Sequence, residues 1–296
     1  MSTPEKTANE KPVREIVLKF SCEDQPGIVA NVAALFAAQG FNIRESHQFE
    51  DVESRRFFMR TVLDATDQSL TLAEVQAAFI PVARRYNMDW QLVDADSRLK
   101  VLVAVSQWGH CLHNLLNAWK QGTLPVDIVG VVSNHQVMQE LVEWYQLPFH
   151  HLPITPDTKA QQEGEMLALM ESSGAECLVL ARYMQILSNQ LCRQLAGRAI
   201  NIHHSFLPGF KGARPYHQAF ERGVKLIGAT AHYVTADLDE GPIIEQAVER
   251  VTHVNTPGEL TEIGRDIESV VLNRALRWHA EHRVLLNGNK TVVFSR

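Results

Sequence analysis

The stretch LKVLVAVSQWGHCLHNLLNAWKQGTLPVDIVGVVSN, residues 99–134, decides the fold. It opens on a Val- and Leu-rich run, turns at Trp108-Gly109, continues as a helical stretch from His110, and closes on a second Val-rich run, VDIVGVVSN. Short unbroken apolar runs of this kind suit strands buried on both faces. A strand, a helix and a further strand in this order predict a right-handed β-α-β unit and a parallel, doubly wound sheet. The pattern recurs downstream. CLVLARY (177–183) is another buried run, and the helical stretches HQVMQELVEWYQL (135–147) and AQQEGEMLALMESSG (160–174) separate it from the last. AINIHH (199–204) reads as one more such strand, followed by LIGATAHYV (226–234) and PIIEQAVERV (242–251). A long helix is expected from Glu259 to His282, and the tail RVLLNGNKTVVF (283–294) reads as a hairpin turning at Asn287-Gly288 or Asn289.

Upstream, the polar stretch VDADSRLK (93–100) separates this segment from a different one. EIVLKFSC (15–22) reads as a strand, EDQPG (23–27) as a turn and IVANVAALFAAQG (28–40) as a helix closed by Gly40 at C′. NIRESHQFED and RFFMRTVLD follow as a hairpin, then a helix interrupted at Pro81 and a closing strand, DWQLVD. The order β-α-β-β-α-β is ferredoxin-like. The expected α/β organisation is a polar, disordered start over 1–13, a ferredoxin-like domain over 14–95 and a Rossmann-like domain over 98–296.

Composition narrows the function classes. With 28 Lys and Arg against 34 Asp and Glu, the net charge of −6 argues against nucleic acid as an obligate partner. The polar N-terminus lacks an apolar signal region, and no window approaches the roughly 18 apolar residues of a membrane span. The four scattered cysteines include no C-x-x-C pair, so they read as reduced thiols in a cytoplasmic protein.

Candidate chemistry concentrates in NIHHSFLPGFKGARPYHQAF, residues 201–220. Sites in open α/β sheets form at the carboxyl ends of strands. Alternation along a strand puts Asn201 and His203 on one face and turns His204 to the other. An amide and an imidazole sharing a face suit an oxyanion, and the imidazole suits proton exchange with an amine leaving group. A second polar strand end, HYVTADLDEGPII (232–244), brings His232 and the acids Asp237, Asp239 and Glu240. A carboxylate there can orient His203 or a water, or can simply cap the turn before Gly241-Pro242.

These two motifs together resemble the formyltransferase family, whose members use N10-formyltetrahydrofolate. Its N-x-H-x-S-L-L-P pattern falls on Asn201 to Pro208, with Phe206 where Leu is common. Its H-x-V-x-x-x-L-D-x-G-P-I falls on His232 to Ile243. The resemblance implies Asn201, His203 and Asp239 as catalytic residues. It implies a folate pocket lined by Met184, Gln185, Ile186, Leu187, His232, Ala236 and Leu238, with Gln185 where Arg is frequent. EDQPGIVANVAALFAAQGFNI is similar to an ACT domain, implying Asp24, Gly27, Ile28 and Asn42 as an amino-acid effector site. Asp24 and Gly27 read equally well as turn residues, Asp24 capping the helix.

An ACT domain ahead of a formyltransferase-like domain is the arrangement of the formyltetrahydrofolate deformylases, and SQWGHCL (106–112) is similar to their first loop. Relatives that formylate glycinamide ribonucleotide carry G-x-G-S-N after the first strand to cradle phosphate at a helix N-terminus. Only Gly109 stands here, and the basic C-terminal domain of tRNA-directed members is not expected. Water is then the simplest acceptor. The resemblance implies hydrolysis of 10-formyltetrahydrofolate to formate and tetrahydrofolate, serving one-carbon balance and purine synthesis. It implies no prosthetic group and no metal, and a homo-oligomer, dimer or tetramer. The alternatives are transfer of the formyl group to an amine, and a sensing protein with an inactive enzyme domain. Cys111, at a helix start, reads as a packed small residue or an activated thiol. His204 and His217 lack the spacing of a zinc site with His203. Lys211 and Arg214 read as contacts for an anionic glutamyl tail or as a solvated loop.

Overall fold

The computed structural model describes residues 14–66, 69–209 and 215–295. The chain divides into two compact units. One runs to Ser97 and takes in Glu281–Leu285 and the tail from Val292; the other comprises Arg98–Ala280 with Leu286–Thr291. The stretch 98–296, expected as one domain, therefore gives two pieces of its tail to the first unit. Hydrogen bonds from Lys19 Nζ to the Val284 carbonyl (3.2 Å) and from Arg60 Nε to the Glu281 carbonyl (3.1 Å) hold them there.

The first unit is the expected β-α-β-β-α-β: β1 Glu15–Glu23, α1 Ile28–Ala38, β2 Phe41–Asp51, β3 Arg56–Ala65, α2 Leu72–Arg85 and β4 Asp89–Asp94. Its antiparallel sheet has the order β2-β3-β1-β4. Alternation along β1 sends Ile16, Leu18, Phe20 and Cys22 into a core with Val32, Phe36, Val75 and Phe79. Phe79 is fully buried, stacked on Phe36 with centroids 5.8 Å apart and edge-on to Trp90 at 5.0 Å. Two expectations are corrected. Asp24 does not cap α1; Gly27 stands at the N-cap with φ 91°, with no side-chain cap bond. Pro81 does not interrupt α2, which continues to Arg85. A proline inside a helix costs about 3 kcal/mol. Here Val75, Phe79 and Ala83 bury one face on both sides of it, and a Thr71–Glu74 capping box fixes the start. Gly40, with φ 77°, ends α1 as expected.

The second unit contains β5 Leu99–Val105, α3 His110–Lys120, β6 Val126–Ser133, α4 Gln139–Trp144, β7 Phe149–His151, α5 Lys159–Ser173, β8 Cys177–Leu180, α6 Asn189–Gln194, β9 Ala199–His203, α7 Pro215–Glu221, β10 Leu226–Tyr233, β11 Ile243–Arg250 and α8 Pro257–Ala280. The hairpin β12 Val284–Asn287 and β13 Lys290–Val293 turns at Gly288, φ 59°. The seven-stranded sheet has the order β11-β10-β9-β8-β5-β6-β7. Five strands are parallel, but β10 is antiparallel to β9, and β11 to β10. The parallel pattern ends at this edge, where among the described residues α7, seven residues long, is the only helix between β9 and β10. α7 is too short to span the sheet, and β10 returns beside β9 in the opposite sense. The short elements β7, α6 and α7 are absent from the sequence reading. In α8 a capping box between Thr256 and Glu259 sets the helix start at Pro257, two residues before the expected one.

Burial, then the charges of Lys19 and Arg60, push the His282 imidazole in the first unit down to about 3. A histidine held neutral in the folded state binds a proton only on unfolding across that interval. Its stabilising contribution is thus complete above the ordinary histidine value near 6.5 and is lost as pH falls toward 3. The urea midpoint of the first unit's transition should fall as pH is lowered from 7 to 5. His282→Asn, which accepts the left-handed backbone at φ 55°, should flatten that dependence; an unchanged slope would exclude His282 as its source.

Candidate active site

The antiparallel return of β10 aligns Thr230 with His203 and His232 with Asn201. His232 is buried, and its Nδ1 lies 2.9 Å from the Tyr233 carbonyl, which can only accept. Nδ1 therefore carries the proton, and burial lowers the basicity of the ring so that it stays neutral. Nε2 is left as an acceptor, 3.2 Å from Asn201 Nδ2. Asn201 donates into it, which fixes which end of the amide is which and leaves the second N–H for the cavity.

His203 closes β9 with its ring buried, and its Nδ1 stands 3.3 Å from Asp239 Oδ1. Its Nε2 is buried with no hydrogen-bond partner, an orphan that a reacting atom can satisfy. Asp239 also lies 3.8 Å from His232 Nε2. Burial alone would raise its carboxyl; the His203 hydrogen bond and charge outweigh that and hold it below the usual carboxylate range. Asp239 adopts φ 57°, the left-handed region, which costs a non-glycine residue about 1 kcal/mol. Gly241 makes this turn possible: a Cβ there would fall on the Tyr233 carbonyl, while Tyr233 N bonds to the Pro242 carbonyl at 2.9 Å.

Asn201, His203 and Asp239 open onto one cavity of about 550 Å³. Every residue expected on the folate side lines it: Met184, Gln185, Ile186, Leu187, His232, Ala236 and Leu238. The segment carrying the first four is anchored by Met184 N on Ser106 Oγ (3.0 Å), Tyr183 on Gln162 and Ser188 N on Glu163. One expectation is corrected. His204 is not turned away but lines the same cavity, its ring 5.1 Å from that of His203. β9 ends at His203, so strand alternation no longer governs the next residue. Burial and the Arg182 charge push His204 down to about 3, so it is neutral. Cys111 is buried and its thiol is raised by burial, which makes it a packing residue and not an activated nucleophile. Lys211 and Arg214 lie outside the described residues.

In the first unit, Asn31 Nδ2 donates to the Gly27 carbonyl (2.7 Å) and to Tyr86 Oη (2.8 Å). Ile28 is buried in the core, whereas Asp24 and Asn42 are exposed.

Sequence reasoning missed the cluster on the other flank of the cavity. Glu268 of α8 is 1% exposed; it accepts from Tyr216 Oη at 2.7 Å and contacts His110 Nε2 at 2.8 Å. Arg182 Nε stands 3.3 Å away, in an ion pair without hydrogen-bond geometry. Arg265 stacks its guanidinium over Trp108 at 4.3 Å. A signal existed: Glu268 sits on the buried stripe of α8 with Leu260, Gly264 and Leu272. A carboxylate on an apolar stripe is seldom left there without partners. His110, Cys111 and Glu268 also bring three potential metal-ligand atoms within 4.8 Å of one another. The adjacent guanidinium and the buried thiol disfavour a cation there.

Comparison with known proteins agrees with this architecture. Residues 99–276 match the Formyl transferase family and residues 16–79 the ACT domain. A formyltetrahydrofolate deformylase of Corynebacterium sp. (strain P-1) is 48% identical over 277 residues, covering 94% of this chain and 97% of that protein. The crystal structure of a formyltetrahydrofolate deformylase from Burkholderia mallei superposes with a TM-score of 0.91 at 54% identity, covering 95% of this chain and 99% of that one. A glycinamide ribonucleotide transformylase from Symbiobacterium toebii gives a TM-score of 0.62 at 28% identity, over 66% of this chain and 94% of its own. With both domains matched in order and nearly the full length shared, the chain belongs to the formyltetrahydrofolate deformylase family.

Proposed function

We propose that this protein hydrolyses 10-formyltetrahydrofolate to tetrahydrofolate and formate, with Asn201, His203 and Asp239 as its catalytic residues. The observation that carries the reading is the convergence of an oriented amide, an imidazole with an unpartnered nitrogen and an ionised carboxylate on one cavity. The ionised Asp239 orients the attacking water and takes up its proton. As the water oxygen bonds to the formyl carbon, the second Asn201 N–H and His203 Nε2–H donate to the developing oxyanion. Collapse of that intermediate breaks the bond from carbon to N10. N10 leaves with a proton delivered directly or through His203, and formate carries away the oxygen of water. Met184 to Leu187, with His232, Ala236 and Leu238, form the folate side of the cavity, where exposed Met184, Ile186 and Leu238 offer apolar surface to a flat heterocycle.

The same reading covers the remaining partners. The folate is the substrate, and no prosthetic group takes part in the steps above. The ACT unit binds a small amino-acid effector beside Gly27, where Asp24, Asn42 and the network of Asn31 offer polar contacts. The 11-residue edge strand β2, with Ile43 and Phe49 exposed, supports pairing between copies. Four buried free cysteines suit the cytoplasm, and among the described residues no helix is long and apolar enough to cross a membrane.

Purified protein should release formate from 10-formyltetrahydrofolate in buffer containing no amine. Asp239→Asn should keep folate affinity and lower kcat by about 100-fold or more, and near-normal release would remove Asp239 from the mechanism. Gly241→Ala should act through position alone. The added Cβ pushes the turn off β10 and carries Asp239 away from His203, so kcat should fall by about 100-fold at an unchanged far-ultraviolet circular dichroism spectrum. Full activity in Gly241→Ala would show that the close approach of the turn does not matter.

A further inference from the structure

The flank of the cavity at the start of α3 carries its own anion, Glu268. α3 begins at His110 with Gly109 at the N-cap and no side-chain cap bond, so its first turn presents the positive end of an 11-residue helix. In other proteins that position receives a phosphate. Here Glu268 lies within 4.8 Å of the ligating atoms of both His110 and Cys111, the first two residues of the helix. Its two oxygens are both used, Oε1 by Tyr216 and Oε2 by His110 with Arg182 nearby.

The arrangement is built and not incidental. Gly264 precedes Glu268 by one helical turn, and a Cβ on Gly264 would fall on the Tyr216 ring. The missing side chain lets the ring lie against α8, from where its hydroxyl reaches Glu268. Burial would raise the Glu268 carboxyl, but the His110 and Tyr216 hydrogen bonds and the Arg182 charge hold it below the ordinary range. The carboxylate is therefore ionised, and it lies against the Arg182 guanidinium and His110 Nε2, the groups an incoming phosphate would seek.

We propose, building on the hydrolase reading, that Glu268 is a specificity-determining residue. It fills the anion position at the start of α3 with the protein's own carboxylate, takes up the Arg182 charge that a phosphate-bearing amine would need, and leaves water as the formyl acceptor. The glycinamide ribonucleotide named for the transformylase of the same fold is an acceptor of the excluded kind.

The test is inhibition of formate release by inorganic phosphate, against chloride at equal ionic strength so that general screening cancels. Wild-type protein should be insensitive to millimolar phosphate. Glu268→Gln keeps hydrogen-bonding atoms but frees the Arg182 charge, and its inhibition constant for phosphate should drop by at least about tenfold relative to wild type. Glu268→Asp keeps the charge and should stay insensitive. Phosphate inhibition of the wild type, or a Glu268→Gln variant as insensitive as the wild type, would overturn the proposal. If Glu268→Gln does not fold, Tyr216→Phe replaces it. That variant removes one hydrogen bond and keeps the charge, so it must remain insensitive; phosphate sensitivity there would count against exclusion by charge. Wild-type formate release is read in every run. Its absence sinks the hydrolase reading, whereas release with the wrong phosphate response sinks the assignment of Glu268 alone.

Discussion

The site depends on one reversal of chain direction. Because β10 runs antiparallel to β9, His232 comes to lie opposite Asn201, and the turn after β10 comes back over the end of β9. A parallel β10 would deliver its carboxyl end, with Asp239, at the same edge of the sheet but without the cross-strand partner that orients Asn201. The antiparallel pair does both at once: His232 sets the amide, and the returning turn sets the acid against His203. Gly241 and the left-handed backbone of Asp239 are the local costs of bringing that turn so close. Strain of this kind persists only where the surroundings over-determine it, and the Tyr233–Pro242 hydrogen bond supplies that constraint.

Protonation follows from the same contacts. His203, His204 and His232 all line the cavity, yet they are not interchangeable. His232 is committed by the Tyr233 carbonyl, and His204 is kept neutral by burial beside Arg182. His203 alone combines a carboxylate on one nitrogen with an unpartnered second nitrogen. The carboxylate beside Nδ1 orients the ring and leaves Nε2 as the atom open to a ligand. The division of roles among chemically identical side chains is thus an effect of neighbours.

Much of this was legible in the residues. Val- and Leu-rich runs alternating with helical stretches give the central sheet, because strands buried on both faces have no alternative composition. Period-two alternation along β9 pairs Asn201 with His203. The same alternation misplaces His204, since it holds only while the strand lasts and β9 stops one residue earlier. Pro81 misleads for a related reason: a local rule about the missing N–H loses to burial of Val75, Phe79 and Ala83 on either side of it. The antiparallel edge was illegible because LIGATAHYV has the composition of a buried strand in either direction. What decides its sense is the connection before it, where α7 is the only helix between β9 and β10 among the described residues.

Glu268 shows where sequence reading stops and packing begins. Its partners, His110, Arg182 and Tyr216, come from α3, the segment after β8, and α7, and no spacing in the chain links them. A buried carboxylate is costly unless each oxygen is paired, so its presence at 1% exposure implies that the partners were assembled for it. Replacing the whole cluster by apolar residues would often be no less stable. Retention of four polar groups in the wall of a reactive cavity therefore points away from stability and toward control of what enters. Attack on a formyl carbon, the step proposed for Asn201, His203 and Asp239, is the same for water and for an amine. A choice between those nucleophiles falls to the wall that faces them, and in this chain the guanidinium of that wall, Arg182, already lies against a carboxylate of the protein's own.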